Sequence, residues 1–199
     1  MIDRRSLILG AAAAFAAEVS SAAVEHDAQA IVDSFASARS MAGSFVQFSP
    51  GGDVSEGSFS IERPGKARFD FDDPSPLQVI SDGRSVAVGN RKLRTWDLYP
   101  LSKTPLKLLL DTKISLADRR VARVDGKNDL ISVTLADPEL FGNARAIVMF
   151  DARTYDLRQW TVVDAQRRET SVVVHGIRTG LDFPPSTFRI PYGEIRKLK

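Results

Sequence analysis

Residues 57–71, with the sequence GSFSIERPGKARFDF, combine two stretches of alternating apolar and polar side chains with a short link between them. Alternation with a period of two is typical of a strand that buries one face. The link, residues 63–66, contains Pro64 and Gly65, and its shortness favours a tight turn between antiparallel strands. Arg63 opens the link, so the pattern puts a guanidinium group at the end of an apolar sheet face. The side chains that share this face are Phe59, Ile61, Ala67, Phe69 and Phe71.

The same alternation continues along most of the chain and predicts a mainly β fold of about ten or eleven antiparallel strands in meander order. A sheet this long usually curls into a barrel or splits into a sandwich. Beyond the two strands above, the predicted strands are residues 77–81, 85–89, 93–99, 120–124, 130–135, 145–150, 157–163 and 170–177, with a brief terminal strand at 187–191.

Two or three helical segments interrupt this pattern. Residues 25–40 place apolar side chains at steps of three and four, which predicts an amphipathic helix whose pattern ends at Gly43. Thr104 as N-cap and Pro105 as first residue predict a short helix with a leucine-rich body. Helices of this kind would cover the concave side of a curled sheet.

The composition is typical of one globular domain, which we expect to span residues 24–199. Of the 199 residues, 43% are hydrophobic and 26% are charged, the net charge is +2, and we find no basic stripe of the kind that binds nucleic acid. There is no cysteine, which excludes disulfides, thiolate chemistry and N-terminal acylation of this chain.

The N-terminus resembles an export signal, residues 1–23. Arg4 and Arg5 precede an apolar stretch at 7–17 that is too short to span a membrane, and residues 21–23 offer a small-residue cleavage site. The arginine pair resembles a twin-arginine signal, although general secretion fits as well, and an uncleaved anchor is the alternative. We expect an exported, soluble protein of the bacterial periplasm.

Candidate catalytic residues are few. His26 lies near the N-terminus of the exported chain and His175 lies within a predicted strand, without a nucleophile elbow or a zinc-binding helix motif. Asp70, Asp72 and Asp73 could form a carboxylate or calcium site, but alternation puts the first two on the solvated face. We therefore predict no enzyme, metal or cofactor; an envelope hydrolase that uses His175 is the remaining enzymatic hypothesis.

The apolar side chains carry the positive signal. Eleven phenylalanines against three tyrosines and two tryptophans provide bulk without polar groups. These side chains either fill an ordinary core or leave a hydrophobic cavity for a ligand. The residues expected to line such a cavity are Phe59, Ile61, Ala67, Phe69, Phe71, Trp96, Leu98, Leu106, Leu109 and Leu110.

Several motifs, in order and spacing, resemble the periplasmic outer-membrane lipoprotein carrier family, which is also called LolA-like. The first and longest is the segment 57–71 itself, preceded by residues 45–48. The others are Pro74 with Pro76, residues 80–83, Thr104-Pro105 with its leucines, 164–170 and 188–193. Two departures stand out: Phe69 replaces a tryptophan that is common in the family, and the glycine expected within 164–170 is absent.

The resemblance implies an incomplete antiparallel β-barrel with helices as a lid over a hydrophobic cavity. It also implies that Arg63 is a latch, which donates hydrogen bonds to the lid backbone in the closed state and releases it when acyl chains enter. The implied partners are lipoprotein acyl chains, an inner-membrane ABC transporter that releases lipoproteins and, where one exists, an outer-membrane acceptor. The acceptor of the same fold is itself lipid-anchored, which this cysteine-free chain cannot be.

The sequence therefore predicts a monomeric, non-enzymatic periplasmic carrier of lipoproteins that does not bind nucleic acid. The alternative is an envelope sensor, or a carrier of another lipid or amphiphile, on the same half-barrel scaffold.

Overall fold

The computed structural model describes residues 21–113, 115–117, 121–127 and 129–195. The predicted export signal, residues 1–23, lies outside this range except for its last three residues, which belong to the first helix. No helix among the described residues has the length and hydrophobicity needed to cross a membrane.

Eleven strands form one antiparallel sheet, as the alternation predicted. In space they are ordered β6-β5-β4-β3-β2-β1-β11-β10-β9-β8-β7, so the pairing of β1 with β11 joins two meanders. β6 and β7 lie at the two edges, and the sheet is not closed. The strands are β1 Ser40–Phe48, β2 Val54–Glu62, β3 Lys66–Phe71, β4 Leu77–Asp82, β5 Ser85–Asn90, β6 Thr95–Pro100, β7 Val121–Lys127, β8 Leu130–Ala136, β9 Arg145–Asp151, β10 Leu157–Val163 and β11 Glu169–Thr179.

The sheet is strongly curled. The rings of Phe69 on β3 and Trp160 on β10 are 5.8 Å apart, although four strand spacings separate these strands in the sheet order. In a flat sheet that separation would be about 19 Å. Curling therefore brings the two meanders face to face and creates an inner face, which carries Phe59 and Trp160.

The helices are α1 Ser21–Ser37, α2 Leu106–Leu109, α3 Pro138–Phe141 and α4 Tyr192–Ile195, with a 3₁₀ turn at Leu101–Lys103. α1 begins earlier and ends earlier than the predicted 25–40, because the chain already enters β1 at Ser40. Gly43 does not end the helix. It lies within β1 opposite Phe59, where a side chain would come within 3.0 Å of the phenylalanine ring. Thr104 is not an N-cap either, since its hydroxyl donates to the carbonyl oxygen of Leu101.

α1 packs its apolar stripe onto the inner face of the sheet. Ala28, Ile31 and Val32 are at most 1% exposed, and they belong to one continuous core with inner-face residues of both meanders. The rings of Phe35 on α1 and Phe150 on β9 meet edge to face at 5.2 Å. The amphipathic pattern that predicted this helix is thus explained by burial against the sheet.

A second, smaller cluster lies on the outer face and corrects two predictions. Trp96 packs there with Ile80 and Ala87, and its ring lies against Gly89. Leu98 pairs with Ala87 and is 41% exposed, so it also points outward. Trp96 and Leu98 therefore do not line the interior, because the register of β6 against β5 turns both side chains to the outer face.

The predicted terminal strand at 187–191 is also absent from the described residues, which have a turn there followed by α4. Pro184, Pro185 and Pro191 lack the backbone N–H group that a strand ladder requires. The segment instead covers the outer cluster with Ile190 and Ile195.

Candidate functional site

The link between β2 and β3 positions the candidate site. Gly65 adopts a φ of +80°, a conformation that glycine accepts without strain, and this lets the chain turn within a few residues. The N–H of Gly65 donates to the carbonyl oxygen of Leu110 at 3.1 Å, and the Ser81 hydroxyl donates to the carbonyl oxygen of Gly65 at 2.6 Å. The link is therefore attached both to the end of α2 and to β4.

Arg63 connects this link to both helices. Its side chain is buried, with 5% of the residue exposed. Nη1 donates to the carbonyl oxygen of Ala38, just after α1, at 2.7 Å, and Nη2 donates to the carbonyl oxygen of Leu109 in α2 at 3.2 Å. The guanidinium carbon lies 4.3 Å from the centre of the Phe35 ring. One side chain thus joins α1, α2 and the sheet.

The positive charge of Arg63 is compensated by dipoles and an aromatic ring. No carboxylate among the described residues forms an ion pair with it, and Nε is buried without a hydrogen-bond partner among them. Burial lowers the pKa of Arg63 from its ordinary value to about 10, so the side chain is positively charged at neutral pH. Since the pKa is lowered, the free-energy cost of burial is fully present below about pH 10 and is relieved only as the pH rises above that value.

The contacts of Arg63 outweigh the free-energy cost of its burial by about 0.5–5 kcal/mol. A pKa change of this size corresponds to about 3 kcal/mol of lost hydration. Against it stand two charge-assisted hydrogen bonds, worth about 1.5–3 kcal/mol each, and the contact with the Phe35 ring, worth about 0.5–2 kcal/mol. The arrangement is therefore stable but can be opened at a modest cost.

Seven of the ten predicted cavity residues come together in the core that α1 covers. Each is at most 7% exposed, and Leu106 lies at the margin of the same core. Buried side chains of α1 and of the sheet belong to the same continuous core. The seven are Phe59, Ile61, Ala67, Phe69, Phe71, Leu109 and Leu110.

Partly buried aliphatic side chains lie at the margin of this core, near the two edges of the sheet. Leu77, Val79 and Val88 are on the β6 side. On the β7 side, Leu116 lines a cleft of about 310 Å³ together with residues 121–124. The unclosed side of the barrel therefore presents apolar surface that the helices do not fully cover.

A larger groove, of about 550 Å³, lies at the end of α1 and touches the surroundings of Arg63. Phe35 and Ala38, which both contact Arg63, line it together with Met41, Leu157 and Ile177. Its rim is polar, with Ser34, Arg39 and Asp156. The groove combines an apolar base with a polar rim, which is the character of a site for an amphiphile.

The residues predicted for the site include none from α1, although helices of this kind are expected to cover the concave side of the sheet. Gln29 of α1 accepts a hydrogen bond from the N–H of Leu116 at 2.8 Å, a second attachment of the helix far from Arg63. The available signal was the apolar stripe of the helix, since an amphipathic helix needs a surface to cover. The individual residues that α1 contacts, such as Phe150, lie partly more than a hundred positions away in sequence, so the stripe did not identify them.

The other candidate residues lie elsewhere. His175 is exposed on β11, and the side chain of His26 is outside the described residues. Burial would raise the pKa of Asp70, but hydrogen bonds from Arg68 and Gln78 outweigh it and hold that pKa below its usual value. Asp72 and Asp73 are exposed. Within the described ranges, no three His, Asp or Glu residues are grouped as a metal site would require.

Residues 36–191 match the protein family described as outer membrane lipoprotein carrier protein LolA. No curated protein sequence matches the chain. An uncharacterized conserved protein from Thermus thermophilus has a similar structure, with a TM-score of 0.53 at 10% identity, over 86% of this chain and 95% of that one. A DUF1329 family protein from Desulfovibrio piger has a TM-score of 0.51 at 10% identity, over 84% and 96%.

A third similar structure is that of the MucA/MucB complex from Pseudomonas aeruginosa, with a TM-score of 0.48 at 14% identity. The match covers 85% of this chain but 62% of that one. At these identities, the first two structures support a common fold and nothing more specific.

Proposed function

Because the chain belongs to the LolA family of outer membrane lipoprotein carrier proteins, we propose that it is a periplasmic carrier of lipoproteins. In this proposal it binds the acyl chains of lipoproteins released from the inner membrane and carries them toward the outer membrane. Residues 1–23 direct export, and residues 24–199 are the mature carrier, which acts as a monomer.

The observation that carries the proposal is the position of Arg63 between the apolar interior and the two helices that cover it. In this proposal α1 and α2 act as a lid, and the arrangement in which Arg63 holds both helices is the closed one. When the guanidinium releases the carbonyl oxygens of Ala38 and Leu109, α1 can move away from the sheet. The surface that it uncovers is rich in phenylalanine, whose rings provide apolar area for acyl chains.

The energetics of lipid transfer suit a carrier that needs energised loading. An acyl chain gains about 0.8 kcal/mol per methylene when it leaves water, but it starts in a membrane and not in water. The free energy of transferring it from the membrane into an apolar protein interior is therefore near zero. An ATP-driven transporter in the inner membrane would supply the work of extraction, and weak binding would allow release at the outer membrane.

The test compares lipoprotein retention in the native chain and in Arg63→Leu. Each protein is purified from periplasm, and bound lipoproteins are identified and counted by mass spectrometry. Loss of the charge-assisted hydrogen bonds favours the open state by about 1–3 kcal/mol, so we expect Arg63→Leu to retain at least about fivefold more lipoprotein and to hand it over poorly.

Arg145→Leu is the matched control, because Arg145 is an exposed arginine at the start of β9 that does not line the groove. It should retain lipoprotein like the native chain. Equal retention and delivery in both variants would contradict the latch. A native chain that carries other amphiphiles, or none, would contradict the carrier proposal itself.

A further inference from the structure

The turn between β5 and β6 presents an unusual combination of exposed side chains. Leu93 is 70% exposed, more than any other exposed large hydrophobic side chain of the described residues. It stands within Arg91-Lys92-Leu93-Arg94, so three cations flank it. We call these four residues the basic tip. The proposed lipid transfer within the barrel does not use them.

The basic tip is held rigidly, so the exposure of Leu93 does not arise from a loose loop. The Asn90 side-chain oxygen accepts hydrogen bonds from the N–H groups of Lys92 and Leu93, at 3.1 and 3.0 Å. The Arg91 guanidinium donates to the carbonyl oxygens of Phe71 and Ser75, which fastens the turn to the link between β3 and β4. The turn therefore holds the leucine side chain in water in a defined position.

Lys92 and Arg94 of the basic tip remain available to a partner, whereas the Arg91 guanidinium holds the turn. No described residue forms an ion pair with Arg91, Lys92 or Arg94, and Lys92 donates only to the carbonyl oxygen of Pro74, at 3.2 Å. A single leucine flanked by cations is too small for a stable protein interface, which covers about 800 Å² on each partner. It matches an anionic lipid surface, where the leucine enters the headgroup boundary and the cations meet phosphate groups.

We propose that the basic tip binds the surface of anionic phospholipid membranes. The tip lies at the end of the barrel opposite Arg63, since β2 ends beside Arg63 and β5 ends at Asn90. The membrane contact is thus separate from the proposed latch. Its use in lipoprotein transfer rests on the proposed carrier function, whereas the binding itself does not.

The expected affinity is weak and reversible. Each cation near an anionic surface strengthens binding by about fivefold, and screening by salt removes much of that contribution. The leucine adds at least as much as one cation through its apolar surface. Such binding would hold the protein at a membrane briefly and let it leave again.

The test is flotation of the mature protein with vesicles. One set contains phosphatidylglycerol and phosphatidylethanolamine, and the other contains only phosphatidylcholine. We expect the native protein to bind the anionic vesicles at least about tenfold better at low ionic strength. Leu93→Asn and Arg94→Gln should each lower that binding by about fivefold or more.

Val54→Asn is the matched control, because Val54 is 56% exposed but has no flanking cations. It should bind like the native protein, and circular dichroism checks that every variant is folded. The proposal would be overturned if Leu93→Asn and Val54→Asn lost vesicle binding equally. It would also be overturned if the native protein bound both vesicle types equally. A dimer in sedimentation that Leu93→Asn abolishes would overturn it as well, because the tip would then bind a second copy.

Lipoprotein retention, measured on the same variants, separates this proposal from the carrier function. Leu93→Asn should keep its retained lipoprotein while it loses vesicle binding. If the native chain binds anionic vesicles but retains no lipoprotein, the tip proposal stands and the carrier proposal fails.

Discussion

In the proposed latch, the buried charge of Arg63 is a reversible attachment between the sheet and the helices. Arg63 donates hydrogen bonds to the carbonyl oxygens of Ala38 and Leu109, which lie 25 and 46 positions away from it in the sequence. Because these acceptors are backbone groups, any sequence in α1 or α2 could offer them. The resemblance pointed to Arg63, but only the structure identifies Ala38, Leu109 and the Phe35 ring as its partners.

Gly57 is a residue where the interior leaves no room for a side chain. A Cβ atom there would lie 2.2 Å from the carbonyl oxygen of Asp70 and 2.7 Å from the Phe45 ring. Overpacking of this kind costs about 1–3 kcal/mol. We therefore expect Gly57→Ala to lower the free energy of unfolding by that amount in urea denaturation.

Gly51→Ala is the control for this prediction, since the nearest atom to its new Cβ would be 3.7 Å away. It should leave the free energy of unfolding within about 0.5 kcal/mol of the native value. Similar values for the two variants would mean that Phe45 can move away from Gly57.

α1 is the element on which the proposed opening depends. It is attached to the rest of the chain near its end by Arg63 and near its middle by the hydrogen bond between Leu116 N–H and Gln29. Gln29 also donates to Asp33 within the helix at 2.8 Å. A helix held at two points opens as a unit only when both attachments release.

Gln29→Ala should loosen α1 while leaving Arg63 in place. Loss of one hydrogen bond costs about 1 kcal/mol, so hydrogen exchange of the amides at 28–37 should be about fivefold faster. Ser34→Ala, on the exposed side of the same helix, is the control and should not change exchange. Unchanged exchange in Gln29→Ala would show that this attachment does not restrain the helix.

Trp96 illustrates the limit of the strand pattern at this scale. Alternation correctly separates the two faces of β6, but the sequence does not say which face the helices cover. The C-terminal segment covers part of the outer face, so an apolar residue there has a partner as well. The register of β6 against β5 determines that the Trp96 side chain lies on the outer face, because opposite residues in an antiparallel pair share a face.

On the scale of the whole molecule, the C-terminal segment joins distant parts of the chain across the outer face. Tyr192 donates to Asp82 at 2.7 Å, a pair 110 residues apart in sequence. Arg68, which is paired with Asp70, donates to the carbonyl oxygen of Thr187 at 3.2 Å. Two carboxylates thus help to hold the segment that covers Trp96.

Acidification should release this segment. Burial would raise the pKa of Asp82, but hydrogen bonds from the backbone of Ser85 and from Tyr192 hold it below 3.8. The pKa of Asp70 is lowered as well. A lowered carboxyl pKa contributes stability that is present above about pH 3.8 and is lost as the pH falls through the folded value.

The measurement is tryptophan fluorescence in a Trp160→Phe background, which leaves Trp96 as the only tryptophan. Its emission should shift to the red below about pH 3.8, and Asp82→Asn should weaken this dependence. Asp53→Asn, in the turn between β1 and β2, should leave it unchanged. A shift that is identical in Asp82→Asn would exclude the contribution of this carboxylate.

The sequence by itself determined the local structure and the family. Period-two alternation is a local property of the chain, so it predicted most of the strands, the meander and the mainly β fold. The motifs from 45–48 to 188–193 likewise predicted the family, whose match to residues 36–191 confirms the resemblance.

The tertiary structure alone decided what each face of the sheet contacts. It paired β1 with β11 and curled the sheet so that the rings of Phe69 and Trp160 are in contact. It also packed α1 on the inner face of the sheet and the C-terminal segment on the outer face. The physical reason is that alternation records only that two faces differ. The partner that buries each face is chosen by contacts between segments far apart in the chain.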